Sequence, residues 1–360
     1  VALLVVPALL PFATATGRTI DVATLQVDVR AARPLGPDSE DLAVAGAHTV
    51  LHRTLAEDPP QLAVWGEGAL DPAASRDPAT MASVRSAIAA VGAPTLVGAV
   101  TRDPDGSEHT AVLAFDGSGM QVDRYDKVHL VPFGEYVPWR EHLGWIEQIA
   151  LIPVDRVPGP RPRVLRIDGL PPFGAPICFE NAFPEVPRSM VREGAQFLVL
   201  TINNASYGFS AASREHLLMS RVLAMETGRW VVHAAISGIT AVIDPSGNAV
   251  ATRGLFDPGI TRATIAASMR LTPAVRIGDA EGPRRDDRGP VRGARTDAAR
   301  HLDEAAAPGR AHPGVRAAGD REVGGGDRAA VQPVRPGEPE DEVGPVRDRK
   351  STRLNSSHTD

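Results

Sequence analysis

Phe173-Gly-Ala-Pro-Ile-Cys178 and Phe197-Leu-Val-Leu-Thr-Ile202 are two short apolar runs, each followed by a more polar stretch with helical spacing, and this alternation decides the fold. Apolar runs of such length read as buried strands, and strands separated by helical stretches indicate an α/β layered domain. The helix after the second run, near Ala211–Thr227, puts Leu218, Val222 and Met225 on one stripe, the face expected to meet a sheet. Upstream the same rhythm recurs. Ile20–Val29 is β-rich, Val44, Leu51 and Leu55 follow with helical spacing, Gln61–Trp65 reads as a buried strand, Met81–Val91 as a helix and Thr95–Val100 as a strand. Two hairpins break the parallel pattern: Thr110–Phe115 and Met120–Tyr125 flank Asp-Gly-Ser-Gly, and Thr240–Ile243 and Ala249–Thr252 flank Asp244-Pro-Ser-Gly-Asn. Mixed sheets are therefore expected.

The 360 residues are 43% hydrophobic and 23% charged, enough for one large domain or two smaller ones. A formal charge of −6 argues against a nucleic-acid partner. The single cysteine, Cys178, excludes an internal disulfide and a cysteine-based zinc site. From Glu281 onward there are no aromatic residues, and Arg supplies 14 of the last 80 positions. Such a segment buries too little apolar surface to order itself. Residues 281–360 are expected to be disordered, with a composition typical of out-of-frame or adaptor-derived sequence; a natural disordered tail is the alternative. Residues 1–17 are all uncharged and mostly apolar up to Arg18, and they read as the remnant of a transmembrane helix, or else as a buried N-terminal strand or helix. The domain proper is thus expected over 18–280.

In open α/β sheets the reactive groups gather where strands end. Three strand ends here carry unusual residues: Trp65-Gly-Glu67, Tyr125-Asp-Lys127 and Ile177-Cys178-Phe-Glu180. Glu, Lys and Cys are a general base, a fixed cation and a nucleophile. A thiol becomes nucleophilic when its proton leaves; an ammonium nearby favours the thiolate, and a carboxylate can accept the proton. Lys127 and the backbone N–H after Cys178 would then stabilise a developing oxyanion. His129, His216 and His233 read as packing or hydrogen-bonding residues, and no HExxH, GxSxG or GxxxxGK[ST] pattern occurs.

The segment Tyr125-Asp-Lys-Val-His-Leu-Val-Pro-Phe-Gly-Glu-Tyr-Val-Pro138 resembles the signature of apolipoprotein N-acyltransferases, the membrane-embedded branch of the carbon–nitrogen hydrolase (nitrilase) superfamily. Val64-Trp-Gly-Glu67, Ile177-Cys-Phe-Glu180, Glu226-Thr-Gly-Arg229 and Ser237-Gly-Ile-Thr-Ala-Val-Ile-Asp-Pro-Ser-Gly247 agree in order. The resemblance covers about residues 18–280, the family's extracytoplasmic catalytic domain; the family's helical bundle and final membrane helix lie outside it. It implies a four-layer αββα sandwich, with Glu67 as general base, Lys127 as oxyanion stabiliser and Cys178 as the nucleophile that becomes a thioester. Glu135 matches a glutamate that helps hold lysine and substrate, Phe179 adjoins the nucleophile, and Glu180 reads either as supporting Cys178 or as pairing with an arginine such as Arg221. Two positions depart from the pattern. Gly66 stands where proline is usual, which suggests a looser turn, and Phe179 stands where tyrosine is usual, which removes a hydroxyl. The implied donor is a phospholipid acyl chain and the acceptor a diacylglyceryl-cysteine apolipoprotein, at the extracytoplasmic face of a bacterial plasma membrane, with no metal or organic cofactor. Trp139, Leu143, Ile146 and Ala150, with Trp145 beside them, read either as an amphipathic arm that dips into the bilayer or as a helix packed on the domain. A soluble amidase or nitrilase using the same triad, and a non-catalytic lipoprotein-binding module, are the alternatives.

Overall fold

Period-two alternation along the first strands separates two apolar sets that end in different cores. Ile20, Val22, Leu62, Val64 and Leu96 share a core with Leu200, Val232 and Val242 from a second sheet. The intervening residues Ala23, Leu25, Ala63, Trp65 and Val97 point the other way and pack with Val84, Ile88 and Val91 of a helix. A sheet buried on both faces in this manner has a helical layer on one side and another sheet on the other.

The computed structural model describes residues 17–143, 145, 146 and 154–278. The first sheet contains β1 (Thr19–Gln26), β2 (Leu62–Leu70), β3 (Thr95–Arg102), β4 (Glu108–Phe115), β5 (Gln121–Asp126) and β12 (Gly259–Ala266), in the order β12-β1-β2-β3-β4-β5. Its central three strands run parallel, with antiparallel neighbours outside them. The second sheet repeats the plan with β6 (Val164–Leu165), β7 (Phe173–Gly174), β8 (Leu198–Ile202), β9 (Val231–Ala235), β10 (Thr240–Ile243) and β11 (Ala249–Arg253), ordered β11-β10-β9-β8-β7-β6. There β7, β8 and β9 are the parallel strands. Helices α1 (Pro37–Arg53), α2 (Pro72–Arg76) and α3 (Pro78–Val91) cover the first sheet; α5 (Glu185–Arg192) and α6 (Ala212–Thr227) cover the second, with α4 (Arg140–Leu143) and α7 (Pro273–Ile277) short and peripheral. The result is the αββα sandwich. Local signals fix the helix ends: Asp77 accepts from the Thr80 N–H, Pro78 opens α3, and Gly92 in the left-handed region closes it.

Three sequence expectations change. The run Phe173–Cys178 is not a continuous strand; Pro176 lacks an N–H, so ladder pairing stops at Gly174 and resumes only as a single bridge between Ile177 and Thr201. Along α6 the stripe of Leu218, Val222 and Met225 faces outward, while Ser213, Ser220, Leu223, Ala224 and Thr227 face the sheet. Among the described residues of the arm after the signature, Arg140–Leu143 is helical and Trp145 and Ile146 are not, and Trp139 precedes the helix with φ of 52°. The N-terminal residues 1–16, the segment containing Ile149 to Ile152, and the tail lie outside the described residues. Among the described residues no helix is long and apolar enough to cross a membrane.

Candidate active site

Glu67 is presented by an interruption in β2. Trp65 pairs with Val97 and Leu70 with Ala99, so residues 66–69 bulge out opposite Gly98 alone. Two glycines make this possible. A Cβ on Gly98 would stand 2.4 Å from the Gly66 carbonyl oxygen, and one on Gly66 would stand 2.4 Å from the Ile236 nitrogen. Gly66 therefore does not loosen the turn; it lets the backbone of the second sheet press against the base of the bulge.

Lys127 follows β5, where its N–H bonds to the Thr110 carbonyl at 2.8 Å. Its ammonium sits 3.2 Å from Glu67 Oε1 and 3.0 Å from Glu135 Oε2, and all three side chains are buried. Glu135 is held in turn by Arg156 Nη1 at 2.8 Å, the Thr110 hydroxyl, and the Val131 N–H at 2.8 Å. Cys178 comes from the other sheet. After the Ile177 bridge its φ swings to 46°, in the left-handed region, and a 3-10 turn runs over Cys178–Ala182. That backbone turn carries the thiol out of the sheet to the cavity wall that Glu67, Lys127 and Asn203 share.

Glu180 ties the two sheets together at this point. Its carboxylate accepts from the Tyr125 hydroxyl at 2.8 Å, from the N–H groups of Val128 and His129 at 2.7 and 3.2 Å, and from the Ile177 N–H at 2.7 Å. It makes no pair with Arg221, which donates to the Gly247 carbonyl. The residues on either side of Lys127 and Cys178 are thus fastened to one carboxylate.

Burial pushes the Cys178 thiol well above its ordinary range, and the Glu67 charge adds to this; Lys127 and the Asn203 N–H oppose them without prevailing. The sequence expectation that the ammonium would favour the thiolate is outweighed. For Lys127, burial works against the charge, but Glu67, Cys178 and Glu135 together raise it, so the ammonium persists. Burial also opposes the charge on Glu135, yet Lys127, Thr110 and Arg156 hold its carboxyl below the usual range. The resting arrangement is a neutral thiol beside a carboxylate that can take its proton as bonds form.

A cavity of about 450 Å³ opens above these groups, with Glu67, Lys127, Glu135 and Cys178 in its wall together with Asn203 and Tyr207. Asp71 and Arg156 also line it. These last four lack any local sequence motif; only the strand-end position of Asn203, directly after β8, hinted at them. Phe179 is partly exposed and meets the edge of Phe183 with ring centres 5.1 Å apart. Trp139 and Trp145 are 72% and 80% exposed and do not line the cavity. Among the described residues no group of three His, Cys, Asp or Glu side chains is placed to hold a metal ion.

Residues 58–274 match the family described as carbon-nitrogen hydrolase. The chain is 32% identical over 241 residues to an apolipoprotein N-acyltransferase from Synechocystis sp., covering 66% of this chain and 45% of that protein. It is 33% identical to another from Mycolicibacterium smegmatis, covering 61% of this chain and 37% of that protein. The chain spans under half the length of these curated relatives. An amidase structure from Nesterenkonia sp. superposes with a TM-score of 0.52 at 17% identity, covering 76% of this chain and 96% of the amidase, a likeness of fold.

Proposed function

The chain belongs to the carbon–nitrogen hydrolase family, and from that premise we propose that residues 18–280 form the catalytic domain of an apolipoprotein N-acyltransferase. The observation that carries this reading is the Glu67–Lys127–Glu135 cluster against the thiol of Cys178 at one cavity. In the first half-reaction the sulfur attacks the carbonyl carbon of a phospholipid ester while Glu67 takes the thiol proton. The oxyanion forms against Lys127 Nζ and the Phe179 N–H, which opens the 3-10 turn and so has no acceptor within it. Collapse breaks the ester C–O bond, Glu67 returns the proton to the lysolipid alkoxide, and a thioester remains. In the second half the α-amine of a diacylglyceryl cysteine attacks the thioester, Glu67 takes an amine proton, and the sulfur leaves as a thiol after that proton is handed back. Lys127 stays charged throughout.

The identity of the relatives supports the lipid substrates. A location at the extracytoplasmic face of a bacterial plasma membrane belongs to the same reading, in which Trp139 and Trp145 face the bilayer. Labelled phospholipid is expected to leave a hydroxylamine-sensitive acyl adduct on the protein that disappears in Cys178→Ala. Turnover of small aliphatic amides with no lipid adduct would instead mark a soluble amidase, and absence of any covalent intermediate a binding module.

A further inference from the structure

The carbonyl of Cys178 and the N–H of Phe179 belong to one planar peptide and point in opposite directions. Whatever fixes the oxygen therefore aims the N–H. The Cys178 carbonyl oxygen lies 3.0 Å from His216 Nε2, on the inner face of α6. The other ring nitrogen, Nδ1, lies 2.9 Å from the side-chain oxygen of Asn204. Burial pushes the His216 imidazole below its ordinary range, so the ring is neutral at pH 7 and carries one N–H. With both ring nitrogens facing oxygens, one contact would lack a proton. The Asn204 Nδ2 is buried and has no partner. Turning the Asn204 amide over removes both faults: Nδ2 donates to Nδ1, and Nε2–H donates to the Cys178 carbonyl. The amide orientation thus selects one tautomer.

Asn203 and Asn204 follow one another directly after β8, and both lie next to the nucleophile. Asn203 lines the cavity beside the sulfur, and the Asn204 side chain, through His216, meets the carbonyl. Behind them Asn181 Nδ2 donates to the His216 carbonyl at 3.2 Å and to Ser220 Oγ at 3.0 Å, and Ser220 Oγ lies 2.8 Å from His233 Nδ1. This polar layer occupies the face of α6 that the apolar stripe was expected to fill, which gives the inverted helix a reason. Cys178 needs such an anchor because a non-glycine residue at φ of 46° is not held there by its own conformational preference.

We propose that His216, with its tautomer set by Asn204, is a positioning residue that locks the Cys178–Phe179 peptide so that the Phe179 N–H serves the oxyanion. The proposal rests on Cys178 being an acylated nucleophile, and the test separates the two. The full chain is treated in parallel with p-nitrophenyl butyrate, whose attack passes through an oxyanion, and with iodoacetamide, whose displacement by sulfur does not. The wild-type protein gives a burst of one nitrophenolate per thiol; its absence would defeat the acyl-enzyme reading itself. With the burst present, His216→Leu slows ester acylation by about 10²-fold, with the half-saturating ester concentration unchanged. Alkylation by iodoacetamide changes by less than about threefold, and His216→Gln, which keeps an N–H for the carbonyl, recovers ester acylation to within about fivefold of wild type. Equal slowing of both reagents, an unchanged ester rate in His216→Leu, or a Gln variant as slow as Leu would each overturn the positioning role.

Discussion

Replacing Asp71 with Asn should stabilise the domain progressively as pH rises from about 4 to about 7 and leave it unchanged in stronger acid. Asp71 precedes α2 but makes no capping bond there, since the Ala73 N–H goes to Asp41 at 3.0 Å. Burial, followed by the charge of Asp41 and then those of Glu67 and Glu40, raises its carboxyl from 3.8 to about 7, against the pull of Arg156. A carboxyl raised on folding binds its proton more tightly in the native state, so its contribution is fully present below pH 3.8 and is lost as pH rises through about 7. The displacement is about three pH units, and at about 1.4 kcal/mol per unit the ceiling is about 4 kcal/mol. Partial solvent access at Asp71 lowers this to about 2–4 kcal/mol. Urea unfolding of wild type and Asp71→Asn at a series of pH values from about 3.5 to about 8.5 measures the difference directly. Coincident curves below about pH 4 are expected, with a gap in favour of Asn that widens as pH rises to about 7 and grows no further above it. A gap of constant size, or one favouring Asp at high pH, would refute the account of the cavity's electrostatics.

Gly98→Ala places a methyl 2.4 Å from the Gly66 oxygen and 2.6 Å from Glu67 Cα; a loss of about 2–3 kcal/mol in denaturant titration is expected, along with slower thiol acylation. Lys127→Met leaves Glu67 and Glu135 facing each other without the shared cation, which should cost about 3–5 kcal/mol of stability and slow acyl-adduct formation by at least about 10²-fold. Near-normal adduct formation in that variant would remove Lys127 from the oxyanion site. Because residue 178 occupies the left-handed region, Cys178→Gly should be more stable than Cys178→Ala by about 1 kcal/mol, and identical denaturation midpoints would show that the elbow is unstrained.

Hairpins were the most legible part of the fold. Asp116-Gly-Ser-Gly and Asp244-Pro-Ser-Gly-Asn supply turn chemistry in the sequence itself, and β4–β5 and β10–β11 form around them. The sequence reads as a strand over Gln61–Trp65 closed by Trp65-Gly-Glu67; in the structure β2 resumes through Leu70 once the bulge has passed. Periodicity misread α6, since a helix whose buried face carries Ser213 and Ser220 gives the same apolar spacing from its outer face. Within the site, Glu67, Lys127, Glu135 and Cys178 sit in recognisable local words, and the fold brings all four to one cavity. Arg156, Thr110, Asn204 and the contact between His216 and the nucleophile's carbonyl escaped because each is a lone polar residue whose partner is distant in sequence. Such pairs are set by how the sheets stack, which no window of sequence contains.

The base and the cation ride on one sheet while the sulfur rides on the other, so the chemistry straddles a seam that the Glu180 carboxylate bridges at this spot. A shift of one sheet against its companion would break neither sheet's own ladder. Such slippage would part the thiol from its proton acceptor long before circular dichroism registered a change. Reactivity of Cys178 is therefore a sensitive gauge of interlayer alignment, able to report loosening in a molecule that every bulk probe would score as native.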